Sequence, residues 1–179
     1  MGGEASSVEA RLKQVIRDIP DFPKPGILFK DITPILSHPG LLKETVEELA
    51  RPFRDAGVSK VLGIESRGFI FAPPLAVSLG AGFVPARKPG KLPWETVKES
   101  YALEYGEDAL EIHRDAFGKG ERILIVDDLL ATGGTASAAA RLAGKIGADV
   151  VGAAFVIELE FLKGRSKLQV PRIHTLVRF

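Results

Sequence analysis

Between Arg122 and Thr135 the chain reads RILIVDDLLATGGT. An apolar run, Ile123 to Val126, meets two adjacent carboxylates, Asp127 and Asp128, and closes on Thr132-Gly-Gly-Thr135. The glycine pair opens onto Ala136 to Ile146, whose apolar spacing predicts a helix. The first N–H groups of a helix have no partner within it, and the helix dipole adds partial positive charge there. Glycines let the backbone wrap an anion closely, and threonine hydroxyls add donors. A phosphate is the natural guest; an ordinary helix cap after a turn is the other reading. The loop lacks both the Gly-Lys-Ser/Thr ending of a triphosphate loop and the G-x-G-x-x-G spacing, so it suits one terminal monophosphate. Two carboxylates beside that phosphate would repel it unless something lay between. A ribose fits the gap, its 2′ and 3′ hydroxyls donating to Asp127 and Asp128 while its 5′-phosphate reaches Thr132 to Thr135. A solvated acidic turn, or the acid pair of a phosphotransfer domain, would explain either acid alone. The pair followed directly by the loop points to a phosphorylated sugar, and Mg²⁺ on oxygen ligands would ease the charge further.

Those residues need a scaffold. Lys60–Ile64, Gly82–Ala86, Arg122–Val126 and Asp149–Ile157 read as buried strands, with helices over Phe69–Leu79 and Ala136–Ile146 between them. Alternating strands and helices predict a parallel sheet covered on both faces. Ligands of such sheets bind beyond the carboxyl ends of the strands. The unusual residues fall there: Glu65-Ser-Arg67, Arg87-Lys88, Asp127-Asp128 and Glu158. Upstream, Val8–Ile19 reads as an amphipathic helix ended by Pro20, Ile27–Ile32 as a short strand or ordered loop, and Pro39–Phe53 as a second helix. The stretch 88–119 breaks the rhythm and reads as a β-hairpin, with Tyr101–Tyr105 and Ala109–Ile112 around a Gly106 turn, mobile at its Pro/Gly-rich approach. One domain over 1–179 is expected, with an N-terminal segment at 1–35 and the insertion at 88–119.

Composition excludes several classes. The chain has 179 residues, enough for one domain with a core, and a net charge of +1, which argues against a global field for nucleic acid or anionic membrane. There is no cysteine, hence no disulfide framework and no thiolate metal site. The N-terminal MGGEASSVEARLK lacks the apolar core of a signal peptide, and no apolar run approaches the ~18 residues that span a bilayer. A cytoplasmic setting is expected. His38, His113 and His174 show no metal-ligand spacing.

The stretch Ile125–Thr135 resembles the phosphoribosyl-pyrophosphate (PRPP) motif of type I phosphoribosyltransferases. Phe22–Phe29, Ile64–Phe69, Arg87–Pro93 and Tyr101–Gly106 are similar to further stretches of that family's adenine-acting branch, and the likeness runs from about Val8 to Leu168. The resemblance implies an α/β fold of the type I kind: a central, mostly parallel sheet flanked by helices, an N-terminal hood over the base and a β-hairpin lid. It implies transfer of the phosphoribosyl group from PRPP to N9 of adenine, giving AMP and diphosphate, in a homodimer, with Mg²⁺ held mainly by PRPP and no direct protein ligand. It assigns the 5′-phosphate to Ala131, Thr132, Gly133, Gly134 and Thr135, and the ribose to Asp127 and Asp128. Diphosphate falls to Glu65, Ser66, Arg67, Arg87, Lys88 and Lys91, with a cis peptide at the Glu65–Ser66 step. Scattered Lys and Arg are otherwise a solvated basic edge. Adenine falls to Leu28, Phe29, Lys30, Leu130 and Leu159, with Phe29 stacking on the ring; core packing is the commoner use of a Phe. Lys30 stands where family members often carry Arg.

The resemblance also relocates the acid–base chemistry. Similar enzymes for hypoxanthine and guanine carry an Asp where this chain has Ala131, and alanine cannot handle a purine proton. Glu104 in the hairpin is the implied catalytic acid; from spacing alone it would be a surface glutamate. Two rivals remain at this level: a transferase for a 6-oxopurine or a pyrimidine, of which Ala131 and Glu104 weigh against the 6-oxopurine form, and a regulatory module that binds PRPP without turnover. The latter should lose the lid acid or the diphosphate cations, and this chain keeps both.

Overall fold

The computed structural model describes residues 7–103 and 106–179. Five strands form one parallel sheet in the order β4-β3-β7-β8-β9: β3 (Lys60–Ile64), β4 (Gly82–Ala86), β7 (Arg122–Leu130), β8 (Asp149–Glu158) and β9 (Ile173–Arg178). Successive side chains point to opposite faces, so both faces must be covered. Val61, Leu124, Val126, Ala154 and Val156 face one core, shared with α1 (Val8–Val15), α2 (Thr33–Ser37), α3 (Pro39–Ala50) and α4 (Gly68–Leu79). Leu62, Ile64, Ile123, Ile125 and Phe155 face the other, shared with α5 (Gly134–Ile146) and the hairpin of β5 (Thr96–Leu103) and β6 (Gly106–His113). The expected α/β layering is what the chain adopts. Among the described residues no helix is long and apolar enough to cross a membrane.

Several boundaries differ from the sequence reading, each for a local reason. The first helix stops at Val15, and Arg17–Pro20 becomes strand β1, paired antiparallel with β2 (Leu28–Asp31). Pro20 disfavours helix before it, and Arg17–Asp31 and Lys30–Asp18 ion pairs close the ribbon. The second helix ends at Ala50 and tightens into a 3₁₀ turn over Arg51–Phe53, where Pro52 has no N–H to give. β7 runs past Val126 to Leu130 because its ladder with β8 continues through Asp127↔Phe155 to Leu130↔Glu158. β9 is an edge strand that the sequence reading omits; His174 and Thr175 interrupt its apolar pattern. β6 begins at Gly106, which the sequence reading takes as the turn: Leu103 pairs with Gly106 and Tyr101 with Asp108.

Candidate active site

The strand order reverses between β3 and β7: the chain goes from β3 to β4 on one side, and β7 lies on the other. Their carboxyl ends frame the crevice where open α/β sheets bind ligands. Glu65–Arg67 follow β3, Arg87 and Lys88 follow β4, and Asp127 and Asp128 end the inner part of β7. Glu65–Arg67, Lys88, Asp127 and Asp128, together with Thr135 and Tyr101, line a cleft of about 270 Å³. A recess of about 70 Å³ adjoins it inside the loop between Asp127 and Ala136.

The loop is held from behind. Gly133 takes the left-handed conformation, φ +79°, at the start of α5, and Ser137 is the first N–H to bond back, to the Gly133 carbonyl at 2.9 Å. The N–H groups before it have no helical acceptor, as at any helix start. A Cβ on Gly133 would sit 2.4 Å from the Gly164 carbonyl oxygen, and one on Gly164 would sit 2.1 Å from that of Ala131. The Lys163–Gly164 turn is thus packed backbone to backbone against Ala131–Gly133. Ser137 Oγ donates to the Lys167 carbonyl at 2.9 Å and ties the same turn to α5.

Asp128 is 5% exposed and Asp127 half-buried. Burial pushes the Asp127 carboxyl well up from its ordinary value, and the neighbouring Asp128 charge adds to the rise. Burial also raises Asp128, with Arg67 opposing it. Asp127 Oδ1 accepts from the Asp128 N–H at 2.8 Å. Arg67 Nε lies 2.9 Å from Asp128 Oδ2, an ion contact off the line of a hydrogen bond, so Oδ2 has no hydrogen-bond partner. Gly68 leaves room for this pair: a Cβ there would lie 3.0 Å from Asp127 Oδ1 and 2.8 Å from the Val126 carbonyl oxygen.

That arrangement carries a stability prediction. A carboxyl whose folded value is raised binds its proton more readily in the native state. Its contribution is therefore fully present below about pH 3.8 and is lost as pH rises through the raised value. Asp127→Asn should raise the melting temperature of the ligand-free protein at pH 8, each kcal/mol appearing as roughly 2–4 °C, and the difference should vanish below pH 4. Calorimetry at both pH values checks it; a melting temperature at or below wild type at pH 8 contradicts it. The same variant should bind PRPP more weakly.

The cations are all paired. Glu65 receives Arg87 Nε and Nη2, both at 3.3 Å, the Lys91 ammonium, and the Lys88 N–H at 2.9 Å. Burial opposes ionisation of Glu65, but these donors outweigh it and hold the carboxyl at about 2. The Lys88 ammonium bonds Tyr101 Oη at 2.8 Å and the Asp108 carboxylate. The Glu65–Ser66 peptide is cis. Glu158, the fourth strand-end acid, takes no part in the cleft: Arg165 grips it through two bonds of 2.9 and 2.6 Å, and Thr175 donates at 3.0 Å.

On the β1–β2 ribbon, Phe29 stands edge to face with Phe22, centroids 5.1 Å apart, and the Arg67 guanidinium lies 4.9 Å from its centroid. Phe29 therefore reaches the mouth of the cleft. Leu28 is exposed, while the Lys30 side chain turns away to Asp18 and to the Phe179 ring at 3.7 Å. Leu130 is buried, and the Leu159 N–H donates to its carbonyl at 3.0 Å, so Leu159 borders the loop through its backbone. Glu104 lies outside the described residues.

Tyr101 lines the cleft and Asp108 stands opposite it on β6, and the sequence reading gives neither a role. Placing the hairpin turn at Gly106 put Asp108 outside a strand. Extending the strand of Ala109–Ile112 back to Gly106 is what sets Asp108 opposite Tyr101.

A parallel sheet whose switch point holds a helix-start loop, a buried acid pair and paired cations defines a class. Residues 33–177 match the family model of the phosphoribosyl transferase domain. The adenine phosphoribosyltransferase of Anaeromyxobacter dehalogenans strain 2CP-1 is 58% identical over 164 residues, covering 92% of this chain and 95% of that protein. That of Solibacter usitatus is 59% identical over 168 residues, covering 94% and 97%. The crystal structure of adenine phosphoribosyltransferase from Rhodothermus marinus superposes with a TM-score of 0.92 at 55% identity, covering 96% of this chain and 98% of its own. The Saccharomyces cerevisiae enzyme, complexed with an imino-altritol bisphosphate and adenine, gives 0.90 at 45% identity, covering 96% and 99%. This chain belongs to the phosphoribosyltransferase family, in its adenine phosphoribosyltransferase branch.

Proposed function

We propose that the protein transfers the 5-phosphoribosyl group of PRPP to N9 of adenine, releasing AMP and diphosphate. One juxtaposition carries the reading: helix-start N–H groups, two carboxylates and a set of cations share the crevice between β3 and β7, in a chain 58% identical to an adenine phosphoribosyltransferase. The loop from Ala131 to Thr135 takes the 5′-phosphate through its N–H groups. Asp127 and Asp128 accept from the ribose 2′ and 3′ hydroxyls, which supply the donors that Asp128 Oδ2 lacks. C1′ gains positive charge as the diphosphate leaves, and Arg67, Arg87, Lys88 and Lys91, with the Ser66 backbone, receive the negative charge. Phe29 stacks on adenine, and the backbone of Leu28, Lys30 and Leu159, with Leu130 beside them, shapes its edge. Glu104 handles the purine proton, because Ala131 offers no carboxylate.

Among the described residues no group of three or more His, Cys, Asp or Glu is placed to hold a metal. Asp127 and Asp128 still offer hard oxygen donors beside the cleft, which fits a Mg²⁺ held mainly by PRPP oxygens. When bound, the ion supplies neutralisation of the diphosphate charge.

The protein acts as a cytoplasmic homodimer without nucleic-acid or membrane partners. Support for a second copy comes from α4, GFIFAPPLAVSL, which is apolar on every side. Such a helix is normally buried, yet its Val77 is 82% exposed, and its Ile70 and, on the adjoining edge strand, Phe83 are also open.

The test is a base panel. With Mg²⁺ and PRPP, nucleotide should form from adenine and not from hypoxanthine, guanine, xanthine or orotate. Absence of product from every base would sink the reading.

A further inference from the structure

Each cation group beside the diphosphate position is already answered by a carboxylate: Arg67 by Asp128, Arg87 and Lys91 by Glu65, and Lys88 by Asp108. The first two carboxylates belong to the strand ends that line the cleft itself. Asp108 comes from the insertion. It sits on β6 directly across from Tyr101 on β5, and Tyr101 Oη donates to it at 3.2 Å. Its other oxygen accepts from the Ala109 N–H at 2.8 Å, which fixes the carboxylate's direction. The Tyr101 ring is buried and borders the start of α5, where a Cβ on Gly134 would lie 3.6 Å from Tyr101 Cδ2. The Lys88 ammonium thus sits between the mouth of the cleft and a rigid acceptor pair on the hairpin.

We propose that Asp108 is a positioning residue that competes with diphosphate for Lys88: with Tyr101 it holds the ammonium while the anion site is empty and yields it when a diphosphate-bearing ligand enters. The inference rests on the reading of this cleft as a diphosphate site. Its physical basis is that a charge-assisted bond already made must be given up before the same ammonium serves a new anion in full. The arrangement weakens the hold on diphosphate. That favours release of this product after transfer, because affinity differences between related complexes appear mostly in the off-rate.

Binding of inorganic diphosphate with Mg²⁺ to the full chain, measured by calorimetry, tests it. Asp108→Asn keeps the shape of the side chain and removes its charge, and should bind diphosphate about tenfold more tightly than wild type. In the Lys88→Met background the same change should alter affinity by less than about twofold, since there is no ammonium to release. Unchanged or weaker binding in Asp108→Asn overturns the proposal, and so does equal tightening in both backgrounds, which would mark a field effect independent of Lys88. Should Asp108→Asn not fold, Tyr101→Phe removes the other acceptor and should tighten binding in the same direction by about two- to threefold; no gain there overturns the proposal. Wild-type protein that binds no diphosphate would sink both this inference and the reading it rests on, whereas wild-type binding without the Asp108 effect sinks the inference alone.

Discussion

Glu104→Ala should lower kcat by about 10²–10⁴-fold, the usual contribution of a positioned acid or base, while the KM for PRPP changes by only a few-fold. N9 cannot attack C1′ without a proton leaving the purine, or its charge being relieved at N7. In the proposed site the loop after β7 carries Ala131, which can do neither. Of the acids in and beside the cleft, Glu65 is committed to Arg87 and Lys91 and Asp108 to Lys88, while Asp127 is half-buried and Asp128 buried beside the loop. Glu104 follows β5, whose Tyr101 is anchored to Lys88 and packed on the start of α5. Steady-state kinetics with adenine and PRPP separate the two parameters. An unchanged kcat would remove Glu104 from proton handling, and a rise in KM alone would make it a binding residue.

Gly133→Ala should raise the KM for PRPP on the order of 10²-fold, the scale set by a 1 Å displacement of a positioning group, and should lower thermal stability as well. Two penalties coincide at this residue. Its φ of +79° is strained for any residue with a Cβ, and that Cβ would stand 2.4 Å from the Gly164 carbonyl oxygen and 3.0 Å from its carbon. Both obstacles are backbone, so no side-chain rotation relieves them. The loop must move, and its N–H groups turn from the phosphate position. Gly134→Ala is the comparison for stability: its Cβ would meet ordinary contacts at 3.6 Å, so its melting temperature should stay near wild type while that of Gly133→Ala falls. Equal melting temperatures with an unaltered PRPP affinity in Gly133→Ala would refute the packing argument.

Much of the fold is legible from local pattern. Apolar runs such as Lys60–Ile64 and Asp149–Ile157 announce buried strands because both sheet faces are covered. Boundaries were less legible where long-range pairing overrides the pattern. Asp127 and Asp128 read as a loop after a strand, yet they continue β7 because β8 supplies the ladder. Arg17–Pro20 reads as the tail of a helix, yet it pairs with Leu28–Asp31. The hairpin was legible as a hairpin, but its register depended on which residues turn. β6 starts at Gly106 rather than at Ala109, and that earlier start sets Asp108 opposite Tyr101.

By itself, the sequence determined which chemistry was available. The order of two carboxylates, a short spacer and Thr-Gly-Gly-Thr sets acceptors and donors within one strand-to-helix connection, so the distances follow from the chain's own geometry. The alanine at 131 likewise decides locally that the proton must be handled elsewhere. The tertiary structure alone decided how those groups are tuned. It half-buries Asp127, buries Asp128 and raises both carboxyls, pins the loop against Gly164, and gives each cation group of the cleft a carboxylate partner from another segment. Those are contacts between residues far apart in the chain. Solvent exclusion and charge pairing come into being only when the sheet brings the segments together, so no local spacing can encode them.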